Sequence, residues 1–236
     1  MALSKKKKSI VLLSGGLDSA VSFKKVFGET DIVLTLTFDY GQRAAKKEIE
    51  AAGAISKLFN VDHKVIDLPW LKELTTTALV ELSESMPRLD RSELDDLSKA
   101  GQSAENVWVP NRNGVFINIA AAFCEALEAD HVVTGFNAEE AATFPDNSKA
   151  FVEAVNGSLS YSTLTKASVI APTAELNKRE IIKLALEIGA PLDLVWSCYE
   201  GDERMCGQCE SCLRLRRGLE SENKNLADKF FPEKIK

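Results

Sequence analysis

Short uninterrupted apolar runs alternate with longer stretches whose apolar residues recur every three to four positions. "SIVLL" (residues 9–13) has the length and continuity of a strand buried on both faces. "SAVSFKKVF" (19–27) reads as a helix, and "DIVLTLTFDY" (31–40), rich in β-branched residues, as a second strand. Residues 43–59 carry Ile49, Ala52, Ile55 and Phe59 at helical spacing. "HKVIDL" (63–68) is a third strand, "GVFINIAAAFCEALEA" (114–129) an apolar helix and "HVVTGF" (131–136) a fourth strand. A helix through 149–158, a short strand near 168–171 and a helix over 178–188 follow. Residues 75–106 are polar and lack a clear period, too long for a compact connection, so a functional or mobile loop with some helix of its own is expected there. The charged tail, 221–236, is expected to fray. Strands alternating with helices predict a parallel, doubly wound α/β sheet.

Composition narrows the reading. At 236 residues the chain suits one domain with a sizeable core. Its net charge of −6 gives no reason to invoke a nucleic acid or a membrane surface as partner. The opening "MALSKKKKSIVLL" imitates a secretory leader, but its apolar run is short and breaks at once into glycines. It reads as a solvated basic start followed by the first strand. No segment approaches the ~18 apolar residues of a membrane span. A cytoplasmic location is expected, with thiols reduced, metal-bound or catalytic.

Two clusters carry chemistry. "SGGLDS" (14–19) sits where the first strand ends and a helix opens, the place where ligands bind in such sheets. Glycines let the backbone approach an anion closely, and a helix start adds free N–H groups and a positive dipole end, so the loop suits phosphate. The bland alternative is a tight turn capped by Asp18 or Ser19. The second cluster is Cys198, Cys206, Cys209 and Cys212 in "CYEGDERMCGQCESC". Four thiolates in this spacing fit a closed tetrahedral zinc site of structural kind. An iron–sulfur cluster is the rival, although no further cysteine follows the C-x2-C-x2-C run as in ferredoxin motifs. Cys124, on the apolar helix, reads as a small core residue. His63 and His131 begin strands and are assigned no chemistry.

The pattern S-G-G-x-D-S resembles the pyrophosphate loop of the N-type ATP pyrophosphatases, which cleave ATP between the α and β phosphates and adenylate a substrate oxygen. That resemblance implies the Rossmann-like sheet of the adenine nucleotide alpha hydrolases. It implies that Ser14, Gly15, Gly16, Leu17 and Ser19 hold pyrophosphate, that Asp18 holds Mg2+, and that Phe38, Asp39 and Gly135 lie near the nucleotide. Further stretches extend the likeness over most of the chain: "FDYGQR" (38–43), "VPNRN" (109–113), "VTGFNAEE" with "FPDN" (144–147), "LNKRE" (176–180) and "CGQCESCLRLRRG". In this order they resemble the 7-cyano-7-deazaguanine synthases, the nitrile-forming enzymes of queuosine biosynthesis. The resemblance implies 7-carboxy-7-deazaguanine as substrate, ATP and Mg2+, a Zn2+ held by the four cysteines within a C-terminal hook (196–220) of the one domain, and free ammonia as the amine. Asp18, Ser19, Arg112 and Lys178 take the catalytic positions. Gln42, Arg43, Arg112, Asn113, Phe144, Asp146 and Asn147 take those facing the substrate. A solvated surface pair is the plainer reading for Lys178 and Arg112, and an Asx-type turn for Asp146 and Asn147.

The chain departs from the family pattern where substrate is expected. Ala44 replaces a histidine with one residue apparently inserted, Ala138 an acidic residue, and Phe144, Asn147 and Ser148 stand within Y-P-D-C-R. V-P-G-R-N has become V-P-N-R-N. A synthase-like paralogue that delivers the activated carboxylate to a protein amino group, such as one of a defence or modification system, therefore stands as the alternative. A tRNA-thiolating enzyme of the same loop would call for a basic surface and a reactive cysteine near the loop. A zinc-stabilised, non-catalytic nucleotide binder is the third class. The sequence leaves open a homodimer, the amine and the role of 75–106.

Overall fold

In the computed structural model, which describes residues 6–232, five parallel strands form one sheet in the order β3-β2-β1-β4-β5. They are β1 (Lys8–Leu12), β2 (Asp31–Asp39), β3 (His63–Asp67), β4 (His131–Val133) and β5 (Ser168–Ile170). The chain winds outward from β1 to β3 and then returns to the other side of β1 for β4 and β5. That reversal opens a crevice at the carboxyl ends of β1 and β4, as doubly wound sheets require. The first strand is buried on both faces. Ile10 packs into one apolar cluster while Val11 and Leu13 enter the other, which is why the sequence there is apolar without alternation.

Helices α1 (Leu17–Phe27) and α2 (Ala45–Leu58) cover one face, with Phe23, Val26, Ala52 and Ile55 fully or almost fully buried against it. Helix α3 (Pro69–Glu73) follows β3. Across the sheet lies α5 (Arg112–Leu127), whose buried Ile117, Ala120, Ala121 and Cys124 face the strands. The core reading of Cys124 holds. Polar side chains inside the sheet find partners, as when Thr35 and Ser56 meet at 2.8 Å and Thr37 Oγ1 donates to the Leu13 carbonyl at 2.5 Å. His63 bonds the same Thr37 at 2.8 Å and His131 bonds Ser168 at 2.9 Å, so both histidines serve the sheet.

Residues 75–106 do carry helix of their own, a 3-10 turn (Arg91–Glu93) and α4 (Leu97–Glu105), and they pack onto the domain, with Leu79, Val80, Met86 and Leu94 buried. Those residues are irregularly spaced, which hid their packing from any periodic test. The tail does not fray before residue 231. It forms α10 (Lys224–Phe230), capped by the Asn223 side chain on the Leu226 N–H at 3.1 Å and anchored by buried Ala227 and Phe231. Residues 233–236 of that tail, and residues 1–5 of the basic start, lie outside the described residues. The fourth strand stops at Val133, three residues short of expectation, because Gly135 turns the chain toward α1. The remaining helices are α6 (Ala138–Ala141), α7 (Lys149–Ser162), α8 (Lys178–Ile188) and α9 (Glu210–Glu222). Among the described residues no helix is long and apolar enough to cross a membrane.

Candidate active site

The crevice at the carboxyl ends of β1 and β4 holds a cavity of about 260 Å3. That is at the lower edge of small-molecule sites, roughly 300–1,000 Å3. Ser14, Gly16 and the first turn of α1 form one wall. Gly16 caps α1 without any side-chain bond to the helix, so its first N–H groups are not satisfied by a cap. They are available to an anion, with the positive end of the helix behind them. Ser14 and Ser19 hydroxyls stand 3.1 Å apart beside them.

Each glycine here has its own reason. Gly15 adopts φ +79°, and a Cβ would stand 2.7 Å from Ala51 Cβ and 2.8 Å from the Glu48 carbonyl oxygen. Its backbone is pressed against α2 and does not line the cavity. A Cβ on Gly135 would stand 2.6 Å from the Ser19 nitrogen, so the turn after β4 touches the phosphate loop directly.

The charged centre is Lys178, the first residue of α8 and only 7% exposed. Its ammonium contacts Asp18 Oδ2 and donates to Glu140 Oε1 at 2.9 Å. Asn137 adds a bond to Asp18 Oδ2 at 3.3 Å. Burial raises the Asp18 carboxyl from 3.8 to about 6, although Lys178 pulls the other way. Burial also opposes the charge on Lys178, but Asp18 and Glu140 outweigh it and raise its pKa. Glu140 is held below the ordinary range because Lys178 overrules burial. The surface-pair reading of Lys178 is thereby excluded. Asp18 Oδ1 is buried without any hydrogen-bond partner, as is the cavity-lining Thr134 hydroxyl. A hard cation takes such a carboxylate oxygen, so the pair of Asp18 and the phosphate loop fits Mg2+.

The opposite end is aromatic. Phe38 and Phe116 stack with centroids 4.0 Å apart and planes within 5°, and Arg112 donates to the Tyr40 hydroxyl at 3.0 Å. Arg112 starts α5 right after Asn111, which has φ 52°. The family pattern has glycine there, and asparagine is among the few residues that tolerate this left-handed conformation. The departure therefore preserves the turn that presents Arg112. Asn113, Phe144 and Asn147 also line the cavity.

Several residues expected at the site are not in its lining. Gln42 is buried, donating to the Phe38 carbonyl at 3.0 Å and to Glu48 at 2.8 Å. Arg43 bonds Glu200 at 3.3 Å and the backbone carbonyls of Glu81 and Glu84. Asp39 accepts from the Gly41 N–H at 3.0 Å. Asp146 accepts from the Asn147 side chain at 3.3 Å within a 3-10 turn (Pro145–Asn147). None of these four lines the cavity. Sequence reasoning gave no role to Glu140, Trp196, Tyr199 and Ser211, which the structure places in the lining. Only "NAEE" offered a signal, a helix cap followed by two acidic residues before the lysine that needs them.

Cys198, Cys206, Cys209 and Cys212 converge so that their sulfurs all lie within 4.8 Å of one another. A tetrahedral zinc with ~2.3 Å bonds needs edges of ~3.8 Å, and Cys206 and Cys212 sulfurs are 3.9 Å apart. The N–H groups of Glu200 and Cys206 point at Cys198 Sγ, each at 3.3 Å, and that of Cys209 points at Cys206 Sγ at 3.2 Å. Such donors suit thiolates, and Gly207 at φ +68° makes the knuckle between them. The donor set fits zinc. Beyond the metal site, Trp196, Ser197, Cys198, Tyr199 and Ser211 form a wall of the cavity, and the Trp196 backbone N–H donates to the Gly15 carbonyl at 2.8 Å.

A parallel sheet of this winding, with S-G-G-x-D-S at the end of its first strand and a buried lysine facing that loop, defines a nucleotide-using protein of the PP-loop class. Within that class the chain belongs to the family described as queuosine biosynthesis protein QueC, whose model matches residues 8–223. It is 57% identical to a 7-cyano-7-deazaguanine synthase of Pelotomaculum thermopropionicum over 91% of this chain and 97% of that protein. It is 53% identical to the synthase of Carboxydothermus hydrogenoformans over 89% and 97%, and 49% identical to that of Desulforamulus reducens over 94% and 98%.

Proposed function

We propose that this chain is an ATP-dependent ligase that converts 7-carboxy-7-deazaguanine and ammonia into 7-cyano-7-deazaguanine. The observation that carries the reading is the buried Lys178–Asp18–Glu140 cluster set against an uncapped helix start within a chain that aligns with a synthase over 91% of its length. The substrate carboxylate oxygen attacks the α-phosphorus of ATP, and pyrophosphate leaves. Ammonia attacks the acyl carbon, AMP leaves and the amide forms. A second ATP adenylates the amide oxygen. Loss of AMP and of the two nitrogen-bound protons then gives the nitrile.

Adenylyl transfer depends on positioning and on neutralising charge. Ser14, Gly16, Leu17 and Ser19 cradle pyrophosphate with backbone N–H groups and hydroxyls. Lys178 sits between the loop and the acidic residues, ready to exchange a carboxylate partner for a phosphate. Phe38 and Phe116 offer the apolar surface for adenine. Arg112, Asn113, Phe144 and Asn147 face the deazapurine, while Asp39, Gln42, Arg43 and Asp146 shape that wall from behind. Asp18 would hold Mg2+ through Oδ1, where the ion would neutralise phosphate charge. Cys198, Cys206, Cys209 and Cys212 would hold Zn2+ in a structural role, beside Trp196, Tyr199 and Ser211 of the wall. The hook belongs to one domain with the sheet, since Cys198, Cys209 and Cys212 lie in the same apolar cluster as Ile10 and Ile117. The acidic residue that Ala138 replaces has Glu139 and Glu140 beside it, which bind Arg214 and Lys178.

The test is product analysis. Incubation with 7-carboxy-7-deazaguanine, Mg·ATP and ammonium should yield AMP, pyrophosphate and the nitrile by mass spectrometry. ADP and phosphate would remove the reading. An adenylate that ammonium fails to convert would return it to the protein-amine alternative.

A further inference from the structure

Arg214 lies on α9, two residues past the last cysteine, and is 8% exposed. A buried guanidinium needs acceptors for its fork of donors. It finds three on different elements. Nη1 donates to Glu139 of α6 at 2.6 Å, Nε to Glu210 of its own helix at 3.0 Å and Nη2 to the Leu94 carbonyl at 2.9 Å. Glu139 faces both ways. Its second oxygen accepts the backbone N–H of Lys178 at 2.8 Å, and the neighbouring Glu140 binds the Lys178 ammonium at 2.9 Å.

The helix between these contacts is weak on its own. Residues Ala138–Ala141 make a single turn, and none of them is fully buried. One turn of helix has no independent stability. Its position is fixed from outside, by Arg214 and, at 3.6 Å, Arg217 on one side and Lys178 on the other, with the Ala138 N–H donating to the Leu176 carbonyl at 3.0 Å and Asn137 reaching Asp18 at 3.3 Å from its start. A chain of charge-assisted bonds runs from the cysteine segment to the ammonium that faces the phosphate loop.

We propose that Arg214 is a positioning residue for the adenylation step, holding Glu139 so that Glu140 and the start of α8 keep Lys178 on the loop. This rests on the ligase reading above for its kinetic consequence, and on the geometry alone for the coupling itself. Arg214→Lys would not replace it, because one ammonium cannot serve three acceptors in a planar fork. Glu210→Gln is the matched control: it weakens Arg214's bond within α9, and Glu210's bond from Ser103 at 2.7 Å, without touching α6.

The experiment compares wild type with Arg214→Gln, Arg214→Lys, Glu210→Gln, Glu139→Gln and the Glu139→Gln/Arg214→Gln double variant. Zinc content and thermal melting are measured on each. Hydrogen exchange read by NMR, without any substrate, follows the Lys178 amide and residues 138–141. The expected result is one zinc per chain and a cooperative melt for Arg214→Gln, with exchange at those amides at least about tenfold faster. Glu210→Gln should leave them unchanged. AMP release should fall at least about tenfold in both Arg214 variants, and the double variant should be no slower than the worse single variant. Unchanged exchange in Arg214→Gln, equal effects in Glu210→Gln, or additive losses in the double variant would each overturn the assignment. If wild type released no AMP, the ligase reading would fall, while the exchange data would still decide the coupling.

Discussion

Asp18→Asn should make the ligand-free protein more stable and the enzyme inactive. Asp18 is buried, and its carboxyl titrates at about 6 against 3.8 in an ordinary setting. A rise of that size means that the folded protein disfavours the ionised form by about 3 kcal/mol once the pH is above the folded value. The sign follows from the protons bound. Between 3.8 and about 6 the unfolded chain has released this proton while the folded chain keeps it, so stability falls as pH rises through that window. Above it the full cost is present. Asparagine keeps the shape and cannot ionise. The difference in Tm between variant and wild type, measured without nucleotide or metal, should favour the variant and widen from pH 5 to pH 8. About half of the 3 kcal/mol develops over that interval, which for a chain of this size amounts to roughly 3–6 °C in Tm. Mg·ATP should stabilise wild type, because a cation on Oδ1 makes the ionised form favourable, and should do little for the variant. A variant less stable than wild type at pH 8, or a Tm difference that does not change with pH, would refute the argument. In that event the bonds from Lys178 and Asn137 outweigh burial.

Gly15→Ala should lose more than about 2 kcal/mol, since it adds a positive-φ penalty to a Cβ placed 2.7 Å from Ala51; urea melts check it, and a neutral result would mean that α2 yields. Cys209→Ser should lower zinc from one ion per chain, measured by elemental analysis, and lower Tm as the hook detaches; iron with acid-labile sulfide in wild type would replace the zinc assignment. Asn111→Ala should cost about 1 kcal/mol at φ 52°, whereas Asn111→Gly should be within about 0.5 kcal/mol of wild type or better; equal losses in both would show that the side chain, which reaches over Gly114, matters more than the backbone.

The sheet and its two chemical clusters were legible because each is written locally. A run such as residues 9–13 is apolar on every position only when both faces are covered, and both are. The phosphate loop and the cysteines need a few residue types at fixed spacing, and spacing survives in sequence. What was not legible arises between distant segments. Nothing near residue 199 marks Tyr199 as a cavity residue, because that depends on the cysteine segment folding back to Gly15. Gln42 and Arg43 stand in a motif that matches the family, but a motif fixes identity and not direction, and their side chains turn to Glu48 and Glu200. The segment 75–106 hid its packing because Leu79, Met86 and Leu94 follow no regular period. The departures at Ala138 and Asn111 looked like losses in sequence, and in three dimensions Glu140 binds Lys178 beside the first while the second keeps a left-handed turn that asparagine tolerates.

The cavity's walls come from distant parts of the chain, with the phosphate loop at residues 14–19 and the closing wall at 196–211. A ribosome makes the first of these well before the second. Sheet strands can pair as they emerge, yet the cavity beside the phosphate loop has no far side until the cysteine segment has been translated and has folded back onto it. The nascent chain thus carries a phosphate loop that cannot work before then. Chemistry begins only once that wall is in place, and a chain truncated before its cysteines would keep the loop but leave an open, water-filled face where the substrate should be enclosed.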